Sequence, residues 1–171
     1  MDRNELKIKL SLKQKELQTS YTNLSIKAQE NATVKIIEYL GEYVKNNILP
    51  DTKDFRVIAT NELDNGVQGE CYYDYDLVAI NSLCFQKALS SSKYNEFLRC
   101  FDIIIHELRH IWQYLEFWDF STYTDPNSSW DGYYNHPTEI DARNFAKNSI
   151  HNLWDKLINI YNACIDIVKA L

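Results

Sequence analysis

Three long stretches of this chain repeat apolar side chains at helical spacing, and little of its length is left for anything but helix. Between residues 4 and 48, Leu6, Leu10, Leu17, Leu24 and Ala28, then Ile37, Leu40, Val44 and Ile48, recur at three-, four- and seven-residue intervals. From about Tyr94 to Trp118 the repeat is Phe97, Phe101, Ile104, Ile105, Leu108 and Trp112. Pro137 is well placed as the first residue of a last helix running to about Ala170, with Leu153, Leu157, Ile160, Cys164 and Ile167 on one stripe. Gly and Pro number only 4 and 3 in 171 residues, which argues against a turn-rich all-β chain. The polar stretch from Thr19 to Asn23 predicts a break in the first region, with Thr22 or Asn23 as the N-cap of a second helix. The heptad fails after Leu24, where the next position is Asn31, so residues 1–50 read as a helix or hairpin packed on the core rather than a coiled coil.

The middle reads as a small sheet. Phe55–Ala59 is a short strand, Asn65-Gly66 a turn, and Val67–Tyr73 with Leu77–Ile80 a hairpin around Asp74-Tyr75-Asp76. Asn81 or Ser82 then caps a short helix to about Leu89, and Ser90-Ser91-Ser92 is a link inside the domain. The expected fold class is therefore α+β, predominantly helical, with a small β-sheet: an N-terminal helical extension over residues 1–50 and a main domain over 51–171.

Charge narrows the partners. Residues 1–50 carry 8 Lys and Arg against 6 Asp and Glu, whereas residues 51–171 carry 10 against 18. A main body this acidic, with no basic stripe, is a poor nucleic-acid surface. No apolar run approaches the roughly 20 residues that cross a bilayer, and Met1–Leu10 lacks the apolar core of a secretory signal. Cys71, Cys84, Cys100 and Cys164 include no CxxC pair, so reduced thiols and a cytoplasmic address are expected, with no nucleic acid and no membrane as partner.

The segment that carries chemistry is His106-Glu107-Leu108-Arg109-His110, inside the second helical stretch. Residues four apart on a helix share a face, so both imidazoles can reach one cation, with Glu107 beside them to take a proton from water. A catalytic zinc site keeps three protein ligands, so a third is needed. Glu116 follows His106 by ten residues, but the Gly turn that such a ligand requires is replaced by Gln113. His136 precedes Pro137 and reads more naturally as a helix cap. Glu139 is favoured, because Ala142 and Ala146 one and two turns on make a small-residue face that lets two helices approach.

With Glu139 in Glu-x-Asp-Ala-x-x-Phe-Ala form 29 residues after His110, the chain resembles the gluzincin branch of the zincin metallopeptidases. It is most similar to small intracellular ImmA/IrrE-like peptidases, over about residues 55–150. The resemblance implies a minimal zincin-like domain, Zn2+ held by His106, His110 and Glu139, and Glu107 as general base. It also implies that Gln113 and Asp141 brace the ligands, Asp141 alternatively pairing with Arg109. Leu77–Ile80 looks like the edge strand along which a zincin aligns its substrate. No motif identifies the group that polarises the carbonyl; Tyr123, Tyr133, Tyr134 and His136 are the candidates, with Tyr134 and His136 preferred. The activity implied is zinc-dependent hydrolysis of a peptide bond in an intracellular protein or peptide. The competing expectation is a zincin scaffold without turnover that serves interaction or regulation.

Overall fold

The fold is that of a computed structural model, which describes residues 2–64, 66–123 and 128–171. Helix α1 (Arg3–Thr22) starts where the Asp2 carboxylate accepts from the backbone N–H groups of Asn4 and Glu5, which have no partner inside the helix. It buries Leu6, Leu10, Gln14, Leu17 and Tyr21 along one face. Helix α2 (Ile26–Asn47) is capped by Ser25, not by Thr22 or Asn23. The reason is local: the Thr22 hydroxyl donates back to the Gln18 carbonyl at 2.9 Å, which keeps Thr22 inside the first helix.

Strands β1 (Arg56–Thr60), β2 (Gly69–Tyr72) and β3 (Leu77–Asn81) form one mixed sheet in the order β1-β3-β2. β1 runs parallel to β3 and β2 antiparallel to it. The hairpin between β2 and β3 turns through Tyr73–Tyr75, with Asp76 in the left-handed region at φ 48°. Of the expected Asn65-Gly66 turn, Asn65 lies outside the described residues; Gly66 has φ 94°, and the Val67 N–H donates to the Asp64 carbonyl at 3.0 Å. Leu77–Ile80 is the central strand rather than an edge. Its unbroken Leu-Val-Ala-Ile run has three consecutive buried residues, a pattern suited to a strand covered on both faces, and β2 is the edge beside it. Asn81 then joins sheet to helix: its amide donates to the Val67 carbonyl, and its oxygen caps α3 (Ser82–Leu89) at Leu83.

Helix α4 (Tyr94–Leu115) buries Phe97, Phe101, Ile104, Ile105, Leu108 and Ile111 in the core. The segment from 119 to 136 contains the short helix α5 (Trp130–Tyr134), while residues 124–127 lie outside the described set. The single last helix expected from Pro137 is two: α6 (Pro137–Asn152) and α7 (Leu157–Lys169). α6 turns its small residues towards α4, and α7 turns Leu157, Ile160, Tyr161 and Cys164 inward against α1. The chain bends at 153–156 to change partners, and no Gly or Pro marks the bend. Leu6, Leu10, Ile36, Leu40, Phe85, Phe101, Ile160 and Cys164 belong to one hydrophobic core, which the helices of residues 1–50 share with the rest.

Candidate metal centre

Helical periodicity on α4 sets His106 and His110 edge to face, with ring centroids 4.6 Å apart and planes at 86°. Their Nε2 atoms lie 3.0 Å from each other. Glu139, in the first turn of α6 and 1% exposed, meets both: Oε2 is 3.3 Å from His106 Nε2, and Oε1 is 3.0 Å from His110 Nε2. Ala142 and Ala146, both fully buried, face α4, so the two helices approach closely enough to bring Glu139 to the histidines. Each of the three residues offers one ligand atom, all within 4.8 Å of one another, and the group can hold a metal ion.

Hydrogen bonding behind the histidines fixes which atoms face inward. The Gln113 amide nitrogen donates to the Thr138 carbonyl at 2.9 Å and to Asp141 Oδ2 at 2.8 Å, both of which only accept. Gln113 Oε1 therefore faces His110 Nδ1, 2.9 Å away, and that nitrogen must carry the hydrogen. In neutral His110 the Nε2 lone pair then points at His106 and Glu139. Asp141 accepts from Arg109 Nε at 2.7 Å as well, so bracing Gln113 and pairing with Arg109 are one arrangement rather than alternatives. The Arg109 guanidinium lies between the rings of Trp112 and Phe145, at 3.7 and 4.3 Å from their centroids.

A buried carboxylate and two inward-facing imidazole nitrogens need a cation among them, and a proton can serve. Burial pushes the Glu139 carboxyl up, but its bonds to His106 and His110 outweigh that and hold it well below the usual carboxylate range. Burial likewise pushes His110 down, while the Glu139 bond and the charges of Glu107 and Glu139 hold it above the ordinary imidazole range. The Asp141 carboxyl, raised by burial, is lowered further by Arg109 and Gln113.

Glu107 occupies the side of α4 facing β2. Its Oε2 lies 3.2 Å from the Cys71 thiol, which also approaches the Glu107 carbonyl at 3.0 Å. The strand comes this close because residue 69 is glycine: a Cβ there would lie 2.7 Å from Glu107 Cγ and 3.0 Å from Ile103 Cγ2. In the sequence Gly69 is marked only as an isolated Gly within the 67–73 strand, and nothing marks Cys71 as its partner in holding Glu107.

The aromatic candidates separate. Tyr123 donates its hydroxyl to Glu139 Oε1 at 2.7 Å, and burial followed by this bond raises its phenol. Tyr133 is raised too, by burial and then by the charges of Glu139 and Glu107. Tyr134, preferred from sequence, is 46% exposed, stacked on Trp130 and covered by the Arg143 guanidinium. Successive residues on a helix point about 100° apart, so α5 turns Tyr133 inward and Tyr134 away. His136 is the N-cap of α6: Nδ1 bonds the Thr138 hydroxyl and backbone N–H, and Nε2 meets the Thr122 hydroxyl at 3.1 Å. Its ring packs on Tyr123 with centroids 5.2 Å apart. Glu116 is exposed at the end of α4, outside the cluster, and Arg143 lies 3.4 Å from Glu139 Oε2. No helix of the described residues is long and apolar enough to cross a membrane. No family model, curated protein or solved structure matches the chain.

Proposed function

We propose that the chain is a zinc-dependent metallopeptidase of the gluzincin kind, hydrolysing a peptide bond in an intracellular protein or peptide. The observation that carries the reading is the tethered donor set: Gln113 turns the His110 lone pair inward, towards His106 Nε2 and the Glu139 carboxylate. Two imidazoles and one carboxylate match the three protein ligands of a catalytic zinc, which leaves a position for water and substrate. A zinc ion bound by His106, His110 and Glu139 supplies a Lewis acid that acidifies water and polarises a carbonyl.

The chain's own residues do the rest. Glu107, next after His106, takes the proton of the attacking water and returns it to the departing amine. The Cys71 thiol and the absence of a side chain at Gly69 position its carboxylate. Tyr123 and Tyr133, rather than Tyr134, are the phenols near enough to Glu139 to donate to the oxyanion. An extended substrate adds to β2, antiparallel to it or parallel, with main-chain bonds that ignore sequence. β2 takes the role expected of residues 77–80, because it is the edge strand against Glu107.

The test is elemental analysis of untagged protein purified without chelator, followed by a peptide-library cleavage screen. The expected result is about one zinc per chain, lost in His106→Ala and Glu139→Ala, with cleavage abolished in Glu107→Gln. No zinc uptake by the wild type, even after zinc addition, overturns the reading. Zinc bound with no cleavage above that of Glu107→Gln supports the scaffold without turnover instead.

A further inference from the structure

Away from the metal centre, two of the four free thiols are in contact. Cys84, in the first turn of α3, and Cys100, on α4, have Sγ atoms 3.6 Å apart, and Cys100 Sγ also lies 3.6 Å from the Cys84 carbonyl oxygen. A disulfide brings sulfurs to about 2.05 Å, so closure asks the two sulfurs to approach by about 1.5 Å. The remaining thiols are engaged differently: Cys71 is bonded to Glu107, and Cys164 is fully buried on α7.

We infer that Cys84 and Cys100 form a redox-active dithiol, which a small-molecule disulfide oxidises to an intramolecular disulfide tying α3 to α4. The pair is asymmetric in the way such chemistry needs. Cys84 is half-buried and within reach of a small oxidant, whereas Cys100 is 3% exposed and reaches only its neighbour. The Cys100 hydrogen bond outweighs the effect of burial and, with the charges of Arg99 and Lys87, holds the Cys84 thiol below its ordinary range. Cys84 is therefore the attacking sulfur and Cys100 the resolving one.

The exchange balances without another reactant. The Cys84 thiolate attacks one sulfur of the small disulfide, whose S–S bond breaks and releases one thiolate. Cys100 sulfur then attacks Cys84 sulfur, and the mixed S–S bond breaks to release the second. The protons shed by Cys84 and Cys100 end on the two released thiols. The chain loses two electrons and the small disulfide gains them. The new bond closes the segment from 84 to 100 and fixes the first part of α4, the helix that carries His106 and His110. The inference does not depend on any enzymatic activity.

The full-length chain, reduced, desalted and dilute, would be titrated with oxidised glutathione and read by intact mass and non-reducing peptide mapping. The expected result is a mass loss of about 2 Da, two hydrogens, with a single linked peptide joining Cys84 to Cys100, reversed by dithiothreitol. Cys84→Ser should abolish that loss, and Cys100→Ser should instead accumulate a stable glutathione adduct at Cys84. Persistence of all four alkylatable thiols in the wild type overturns the inference. So does a disulfide that maps to Cys71, to Cys164 or between two chains. The wild-type map decides the matter even where the buried Cys100→Ser variant fails to fold.

Discussion

Gln113 is the residue whose role is most sharply defined by its bonds. Its amide spends both donors on Thr138 and Asp141, which leaves its oxygen for His110 Nδ1. Gln113→Leu removes the acceptor that fixes the His110 tautomer, and on the proposed zinc reading zinc affinity should fall about 10–100-fold, measured by competition with a chromogenic chelator. The same titration has a pH dependence of defined sign. On the proposed zinc reading, protons and zinc compete for His110 Nε2, and Glu139 raises the affinity of that nitrogen for protons. Zinc binding should therefore begin to weaken as pH falls towards the imidazole range from above, where the raised His110 takes up its proton, and should release protons as it forms. The histidine pair, Glu107 and Glu139 were legible as a pattern because helical spacing and small neighbours are properties of the string. Tyr123 and Tyr133 over Tyr134 were not: which phenol faces Glu139 depends on how α5 and the segment between α4 and α5 lie against α6.

Two glycines show how closely elements approach, and they have different consequences. Gly41 on α2 lies against β1, where a Cβ would come within 2.6 Å of Val57 Cβ. Gly41→Ala gains helix propensity of about 0.5–1 kcal/mol, but the overpacking costs about 1–3 kcal/mol. The second effect wins, because the branched atom it meets sits close to the backbone of a paired strand. The variant should unfold at lower denaturant, as read by urea titration. Gly69→Ala meets Glu107 Cγ, the middle of a side chain that can swing aside. Under the proposed peptidase function its expected signature is misplacement of Glu107: a fall of about 10–100-fold in kcat/KM, with zinc content unchanged. At this scale the hairpin was readable from its Asp74-Tyr75-Asp76 turn and α4 from its helical periodicity. The bend at 153–156 was hidden, because α6 and α7 have apolar stripes that read as continuous and only their different partners separate them.

Across the whole molecule the N-terminal helices share the core. Leu6, Leu10, Leu17 and Tyr21 are buried, and the side chain of Gln14 donates to the Ala88 and Ser91 carbonyls while accepting from the Tyr161 hydroxyl. Burying four such side chains contributes on the order of 6–12 kcal/mol as an upper estimate. That is comparable to the whole stability of a typical domain, about 5–15 kcal/mol. A chain lacking residues 1–24 should therefore lose cooperative unfolding and expose the inward face of α7, measured by circular dichroism in urea. A truncated chain that unfolds with an unchanged midpoint would show α1 to be a dispensable cover.

What the amino-acid sequence determined alone is whatever depends on neighbours along the chain. The spans of α1 to α4, the β2–β3 hairpin, the His106–His110 face and the capping role of His136 follow from spacing and local hydrogen bonding. What the tertiary structure decided is whatever depends on which surfaces meet. β3 became central and β2 the edge because of strand order, and Gln113 and Asp141 became one network with Arg109 because α6 lies across α4. Cys84 and Cys100, sixteen residues apart with no motif between them, came into contact because α3 folds back on α4. Local rules act through a few residues of backbone, whereas these contacts exist only once the core has closed.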